Sequence, residues 1–334
     1  MTNRLLPALA VLLIMSGCGS SAKLANPVRV WPPPPAPPVV QFEEAIYGSA
    51  DLGYGFWQKI QNFLFGKPAG ERLGKPYGIC TDDTRWYIAD TGGDRVLILD
   101  WDQRKGRVIS QLDQGRRLIE PVNVAIGPDG KTYVADTGLK GIARFLPDGS
   151  FDMLIGDDDQ LQSPVGMAWL PDGRLLVVDS KLHRVAVYGS DGHLLTTFGE
   201  FGDQPGQFYH PLGIAISPEG VIYIVDAFHF TVQKFDSRFG YLGDFGHDER
   251  AAAQLPRPRA VGIDADGRIY ITDAIRHMVL VFNSEGTLLY TFGNQGTGAG
   301  EFRLPAGIAI GEDGEVLVVD SLNHRILKFQ LVRG

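Results

Sequence analysis

The sequence is poor in cysteine, in basic charge and in long hydrophobic runs. Its two cysteines, Cys18 and Cys80, cannot form the disulfide framework that holds small secreted domains together. Lys and Arg (31) are outnumbered by Asp and Glu (39), and a formal net charge of −8 argues against nucleic acid as a partner, because phosphate contacts need clustered basic side chains. The chain is instead rich in glycine (42) and proline (21) beside 44% hydrophobic residues, which favours short strands joined by tight turns.

The N-terminal residues are typical of an export signal. Arg4 gives a positive start, and the apolar stretch from Leu5 to Met15 is too short to cross a bilayer about 30 Å thick but fits the core of a signal peptide. The run Met15-Ser16-Gly17-Cys18 resembles the bacterial lipobox, with Met where Leu is usual. This resemblance implies that residues 1–17 are removed and that Cys18 is lipidated. The alternative is an ordinary secretory signal followed by a chance cysteine.

Residues 18–38 are expected to be the lipidated cysteine and a tether. Proline occurs at positions 27, 32–35, 37 and 38, and such a run prefers extended polyproline II at about 3 Å per residue. We therefore expect a spacer that lifts a domain off a membrane; a ligand for a proline-binding module is the alternative. Since residues 19 and 20 carry no acidic retention signal, we expect the outer membrane of the cell envelope if the cell has two membranes.

From about residue 73 the chain consists of six copies of one unit, marked by two series of residues that keep step at spacings of 43 to 47. The entry to each copy is marked by Pro76, Pro121, Pro164, Pro211, Pro258 and Pro305. The end of the second strand is marked by Asp90, Asp136, Asp179, Asp226, Asp273 and Asp320. Four short strands fit in each copy, which predicts an all-β fold, a six-bladed β-propeller over residues 39–334.

Closure of the ring is also predicted. The sixth copy lacks a fourth strand, and residues 39–48 have the alternation of the missing one, so an N-terminal strand should complete the last blade. Between this strand and the first copy, apolar residues recur on one face over about 56–65, which predicts a short helical insertion. We expect it to pack on the propeller; a membrane-contacting helix is the alternative.

The segments that follow the repeated aspartates resemble NHL repeats. The closest match runs from Asp320 through His324 to Arg325, followed by the segment from Asp179 through His183 to Arg184. The resemblance covers about residues 70–334 and implies a propeller fold. Similar propellers bind proteins or RNA, serve as substrate domains of ubiquitin ligases, or act as a peptide-amidating lyase. The ligase use needs a RING domain with clustered Cys and His, which this chain lacks.

The histidines invite a metal site, but their positions argue against one. We expect His183, His229, His277 and His324 to occupy equivalent places in four blades, so that the ring keeps them apart, whereas zinc needs ligands about 2 Å from one point. His183, His277 and His324, like the six aspartates, are expected to fix turns by hydrogen bonds. No metal ligand, catalytic residue or cofactor is therefore assigned.

Other polar residues are given structural roles. Cys80 reads as a small buried thiol. His210 beside Pro211 and Asn123 on an innermost strand are the polar side chains expected near the central channel. Residues 157–159 are three aspartates, expected to form a solvated acidic turn rather than a cation-binding loop.

Function is sought where the copies depart from their common plan, because scaffold needs are shared by all six. These departures are Tyr209, His210, Phe228, His229, Phe230, Arg257, Arg259 and Arg276. Aromatic and arginine side chains on one face are typical of binding hot spots. The sequence thus favours a non-catalytic scaffold for a protein, peptide or envelope polymer. The alternative is a hydrolase or lyase that uses Zn or Ca in the central channel. The oligomeric state stays open.

Overall fold

A computed structural model describes residues 29–53, 70–82, 84–156, 159–247 and 252–332. The expected signal peptide with Cys18, the expected helix at about 56–65, and Asp157 and Asp158 lie outside the described residues. The rest forms the predicted all-β propeller: six antiparallel sheets, each a blade with its first strand innermost.

The strands are numbered in chain order. The innermost strands are β3 (Pro76–Asp82), β7 (Pro121–Ile126), β11 (Pro164–Trp169), β15 (Pro211–Ile216), β19 (Pro258–Ile263) and β23 (Pro305–Ile310). The second strands are β4 (Arg85–Asp90), β8 (Thr132–Asp136), β12 (Leu175–Asp179), β16 (Ile222–Asp226), β20 (Ile269–Asp273) and β24 (Glu315–Asp320). The third strands are β5 (Arg95–Asp100), β9 (Gly141–Phe145), β13 (Arg184–Tyr188), β17 (Thr231–Phe235), β21 (Met278–Phe282) and β25 (Arg325–Leu331). The outer strands are β6 (Lys105–Ile109), β10 (Phe151–Ile155), β14 (Leu194–Phe198), β18 (Tyr241–Phe245), β22 (Leu288–Phe292) and β2 (Val40–Ile46).

The two repeated residues sit at strand boundaries, as their spacing predicts. Every innermost strand begins at the repeated proline, where a missing N–H is tolerated, and every second strand ends at the repeated aspartate. The second strands are buried along their whole length in blades two to five, because a neighbouring sheet covers each face. The hydrophobic core therefore lies between blades; Ile214, Phe208 and Phe235, for example, pack between blades three and four.

The innermost strands approach one another closely around the axis. A Cβ built on Gly307 of blade six would lie 2.6 Å from the carbonyl oxygen of Tyr77 in blade one. Glycine is therefore needed here, because a side chain would push the first and last blades apart.

The predicted closure is confirmed. Strand β2 pairs antiparallel with β25, with Phe42 opposite Phe329, and becomes the fourth strand of the last blade. The two rings are 5.7 Å apart, edge to face. First and last parts of the propeller thus share one sheet.

The segment 29–38 differs from the expected extended tether. A strand of two residues, β1 (Val30–Trp31), pairs with β2 and gives blade six a fifth strand. Trp31 packs on Phe292 and Phe329, and Arg29 pairs with Glu301 at 3.1 Å. The proline content indicated an extended backbone free of the propeller, but packing of the partly buried Trp31 ring outweighs solvation of this segment.

Helical structure in the described residues is limited to short 3-10 turns, such as Ser49–Leu52 and Ser321–Asn323. Within these same ranges, the structure has no helix with the length and apolar character needed to span a bilayer.

Candidate binding face and central channel

The repeated aspartates build one face of the propeller. Each is fully buried, and its carboxylate accepts backbone N–H groups from the loop that enters its own blade. Asp179, for example, accepts from Gln162 and Ser163 in the entering loop and from Lys181 and Leu182 in its own turn. The other five aspartates bind the entering loops in the same way. We call this face, with its turns and entering loops, the Asp-turn face.

Three histidines link neighbouring blades on this face. His183 Nδ1 accepts the backbone N–H of His210 at 3.0 Å, and His277 Nδ1 accepts that of Leu304 at 3.2 Å. His324 Nδ1 bonds with the carbonyl oxygen of Gly74, which joins blade six to blade one. Their backbones are left-handed, with φ near +54°, so each imidazole points to the next blade rather than into its own turn.

The expectation that His229 is a fourth equivalent histidine is wrong. The left-handed position of blade four is taken by Phe230, with φ of +62°, four residues after Asp226. His229 lies one position earlier, between two carboxylates: its Nδ1 is 2.8 Å from Asp226 and its Nε2 is 3.1 Å from Asp203. Burial opposes the charged form, but the hydrogen bond to Asp203 and the charge of Asp226 outweigh it and raise the pKa of His229.

An aromatic cluster lies beside this histidine. Phe201, Tyr209 and Phe228 are 62%, 42% and 44% exposed. The Tyr209 ring lies between the other two, with its centroid 5.3 Å from that of Phe201 and 5.1 Å from that of Phe228. His210 stacks on Phe228 at 4.8 Å, and His183 meets Phe201 at 5.0 Å. We call Phe201, Tyr209 and Phe228 the aromatic patch.

Phe201 was missed by the sequence analysis. The loop Gly199–Gly202 is equivalent to Gly293–Gly296, since parallel bridges join Phe201 to Phe208 and Gln295 to Phe302. The first loop has Phe201 where the second has Gln295. This departure lies outside the strands, whose repeated residues define the six copies.

Phe230 faces away from the aromatic patch. It is 49% exposed and lines a groove of about 440 Å³ with His229, Leu255 and Pro256. Its side chain thus extends the apolar surface of the Asp-turn face toward blade five.

The three predicted arginines separate in the structure. Arg257 is exposed at the entry to blade five, and Arg276 donates to the carbonyl oxygen of Ala252 at 2.7 Å. Arg259 instead lies at the mouth of the central channel, where its Nη1 donates to the hydroxyl of Tyr77 at 2.9 Å. Tyr77 comes from blade one, so this bond crosses the channel mouth.

The channel itself is lined by the innermost strands and has a cavity of about 250 Å³. Cys80 and Asn123 are among its polar side chains, but the Asn123 amide donates to the carbonyl oxygen of Val165 at 3.1 Å. Burial, with the nearby charge of Asp82, raises the pKa of the Cys80 thiol far above its ordinary value, so it stays protonated. In the part of the chain that the structure describes, no three His, Cys, Asp or Glu side chains gather closely enough to hold a metal ion.

The sequence analysis also missed the opposite end of the channel. Trp169, Ile216, Ile263 and Ile310 end four innermost strands and line a cavity of about 380 Å³ on the face opposite the Asp-turn face. Because these four equivalent residues are all apolar, their sequence pattern does not distinguish them from residues of the hydrophobic core.

Comparisons with known proteins agree with the fold. A model of a family described as a 6-bladed beta-propeller matches residues 262–334. No curated protein matches the sequence. Many solved structures are similar to this chain, and at the identity of the following three the likeness extends to the fold alone. Virginiamycin B lyase from Staphylococcus aureus is 14% identical over 78% of this chain and 97% of its own, with a TM-score of 0.57. A protein described as a putative gluconolactonase is 17% identical over 81% and 95%, with a TM-score of 0.58. Hydrazine synthase from Kuenenia stuttgartiensis is 14% identical over 84% and 99%, with a TM-score of 0.57.

Proposed function

We propose that this chain is an exported, lipid-anchored binding scaffold that holds a protein or peptide partner on the Asp-turn face. The observation that carries the proposal is the aromatic patch. Three large rings are exposed side by side on a single face, whereas scattered exposed apolar residues are normal on any protein surface.

The patch is preorganised for binding. Tyr209 is fixed through its backbone N–H, which donates to the buried Asp226 at 2.9 Å, and Phe201 lies against His183. Aromatic side chains held in one place lose little conformational entropy when a partner covers them. The resemblance of these turns to NHL repeats, some of which are binding platforms, supports the same conclusion.

The charge around the patch indicates the chemistry of the partner. Arg257 and Arg303 are exposed in the loops that enter blades five and six, on a chain whose formal net charge is −8. Exposed arginines on the same face as the aromatic patch can pair with acidic groups of a partner. We therefore infer a partner with apolar side chains beside acidic ones.

The test is capture of partners from cell-envelope extract by the full chain, with proteins identified by mass spectrometry. The double variant Tyr209→Ala/Phe228→Ala should lose the proteins that the unaltered chain enriches. Leu195→Ala is the matched control, because Leu195 is 56% exposed on the outer strand of blade three and should keep them. Equal enrichment by both variants would contradict the proposal. Capture of polysaccharide from extract that has been treated with protease would contradict a protein partner and indicate an envelope polymer instead.

A further inference from the structure

Six equivalent residues form a collar at the mouth of the channel on the Asp-turn face. Each directly follows the repeated proline of its blade, and together they line a cavity of about 40 Å³. The collar residues are Tyr77, Val122, Val165, Leu212, Arg259 and Ala306. Arg259 is thus the one charged member of a ring whose other members are apolar, apart from the phenol of Tyr77.

The hydrogen bonds of Arg259 are incomplete. A guanidinium has five N–H groups, and in the described part of the chain a single one meets an acceptor, the neutral hydroxyl of Tyr77. Its Nε is buried and has no hydrogen-bond partner among the described residues. Within the same residues no carboxylate forms an ion pair with it, whereas the buried Arg325 pairs with Asp320 at 2.7 Å.

The Arg259 guanidinium also lies over the Tyr77 ring, 5.7 Å from its centroid, but a partly buried cation without an anion is still costly in the low-dielectric collar. The planar fork of a guanidinium matches a carboxylate, which can accept two parallel N–H bonds. A cavity of about 40 Å³ holds a group of a few atoms, because a single water occupies roughly 10–15 Å³ on this measure. The collar therefore fits one carboxylate rather than a larger anion.

The collar adjoins the aromatic patch through His210. This imidazole stacks on Phe228 with ring centroids 4.8 Å apart, and His210 is followed by Pro211 and the collar residue Leu212. Apolar contact on the patch and anion contact in the collar are thus available to one ligand.

We propose that the collar is a carboxylate site, in which Arg259 binds the C-terminal carboxylate of a peptide whose last side chains lie on the aromatic patch. The proposal rests on the proposed function and names the part of the partner that is recognised. A chain end suits the collar because the peptide leaves the narrow mouth in one direction, whereas an internal Asp or Glu needs room for the chain on both sides.

The experiment uses the full chain, labelled with nitrogen-15, and three probes that differ only in their carboxylate. N-acetyl-leucine has a terminal carboxylate, N-acetyl-leucinamide has none, and N-acetyl-aspartic acid α-amide has one on its side chain. We expect N-acetyl-leucine to shift the Arg259 Nε–H resonance and to bind about tenfold to hundredfold more tightly than the leucinamide, the range for hydrogen bonds to a charged group. Equal binding of acid and amide would overturn the carboxylate site. Equal binding of the aspartic acid probe would overturn the terminal assignment.

Variants separate the collar from the patch. Arg259→Gln should remove the preference for the acid, and Arg259→Lys should restore part of it, because a lysine keeps the charge but not the fork. Arg238→Gln is the matched control, since Arg238 is exposed in the turn after β17 on the opposite face. Arg259→Gln with folding unchanged and preference for the acid intact would overturn the site. If the patch variants lose partner capture while Arg259→Gln retains it, the binding scaffold stands and the carboxylate site falls.

Discussion

The imidazole of His183 in blade three accepts the backbone N–H of His210 at the entry to blade four. The bond spans two sheets with an apolar core between them, and it ends at the residue that stacks on Phe228. A side chain that repeats for reasons of architecture thus also positions the rim of the candidate site.

We expect His183→Ala to lower the free energy of unfolding by about 1–2 kcal/mol, because one hydrogen bond between blades is lost. The Phe201 and Tyr209 resonances should shift as their contact with the imidazole disappears. Denaturant unfolding and NMR measure the two effects. His193→Ala, at an exposed turn on the opposite face, should change neither; equal effects of the two substitutions would argue against a link between blades.

Asp179→Ala should destabilise the chain more, by about 3 kcal/mol. Its buried carboxylate accepts four backbone N–H groups, and their desolvation would no longer be compensated. Asp191→Ala removes a similar turn contact at an exposed position and should cost less than about 1 kcal/mol. The comparison is made by denaturant unfolding, and a cost for Asp179→Ala no larger than that of the control would contradict the role of the repeated aspartates.

His229 and His210 should titrate in opposite directions from the ordinary value of about 6.5. The pKa of His229 is raised, so its stabilising contribution is present below about pH 6.5 and is lost as pH rises through its folded pKa. The pKa of His210 is lowered, so its contribution is present above about pH 6.5 and is lost as pH falls through its folded pKa. NMR titration of the ring protons should place His229 above His210. His229→Gln should flatten the decline of thermal stability on the alkaline side; an unchanged decline would show that another group causes it.

Cys18→Ser should leave the chain exported but release it from the membrane fraction. A lipid anchor requires the cysteine thiol, and serine retains its size without forming the thioether. Metabolic labelling with radioactive palmitate and fractionation test this. Cys80→Ser serves as the control and should keep both label and membrane association, since Cys80 lies in the channel wall. Label in the Cys18 variant would contradict the anchor.

The fold was predictable because its two markers are set by local backbone chemistry. Proline tolerates the first position of a strand, and a buried aspartate must collect the N–H groups of its turn, so Pro211 and Asp226 mark the same boundaries in sequence and structure. The site was less predictable. His229 follows Asp226 by one residue fewer than His183 follows Asp179, and the equivalent left-handed backbone position belongs to Phe230.

Arg259 shows a second limit. Arg257 and Arg259 flank the same proline and look alike in sequence, but Arg257 ends the entering loop whereas Arg259 is the second residue of β19. One side chain therefore reaches solvent at the rim, and the other enters the channel mouth beside Tyr77. Which of the two meets a group from another blade depends on the closure of the ring, a relationship between residues far apart in sequence.

The pairing of β2 with β25 also sets the order of folding events. Phe42 and Phe329 are neighbours in one sheet but are separated by nearly the whole propeller sequence. Contacts of such separation carry a large loop-closure entropy, so they form late and slow the overall rate. Individual blades can collapse as they emerge, while β2 stays unpaired, with its backbone groups open to other strands, until the last blade is complete. The final folding step is thus a closure of the ring, and the period before it is when the chain is most exposed to aggregation.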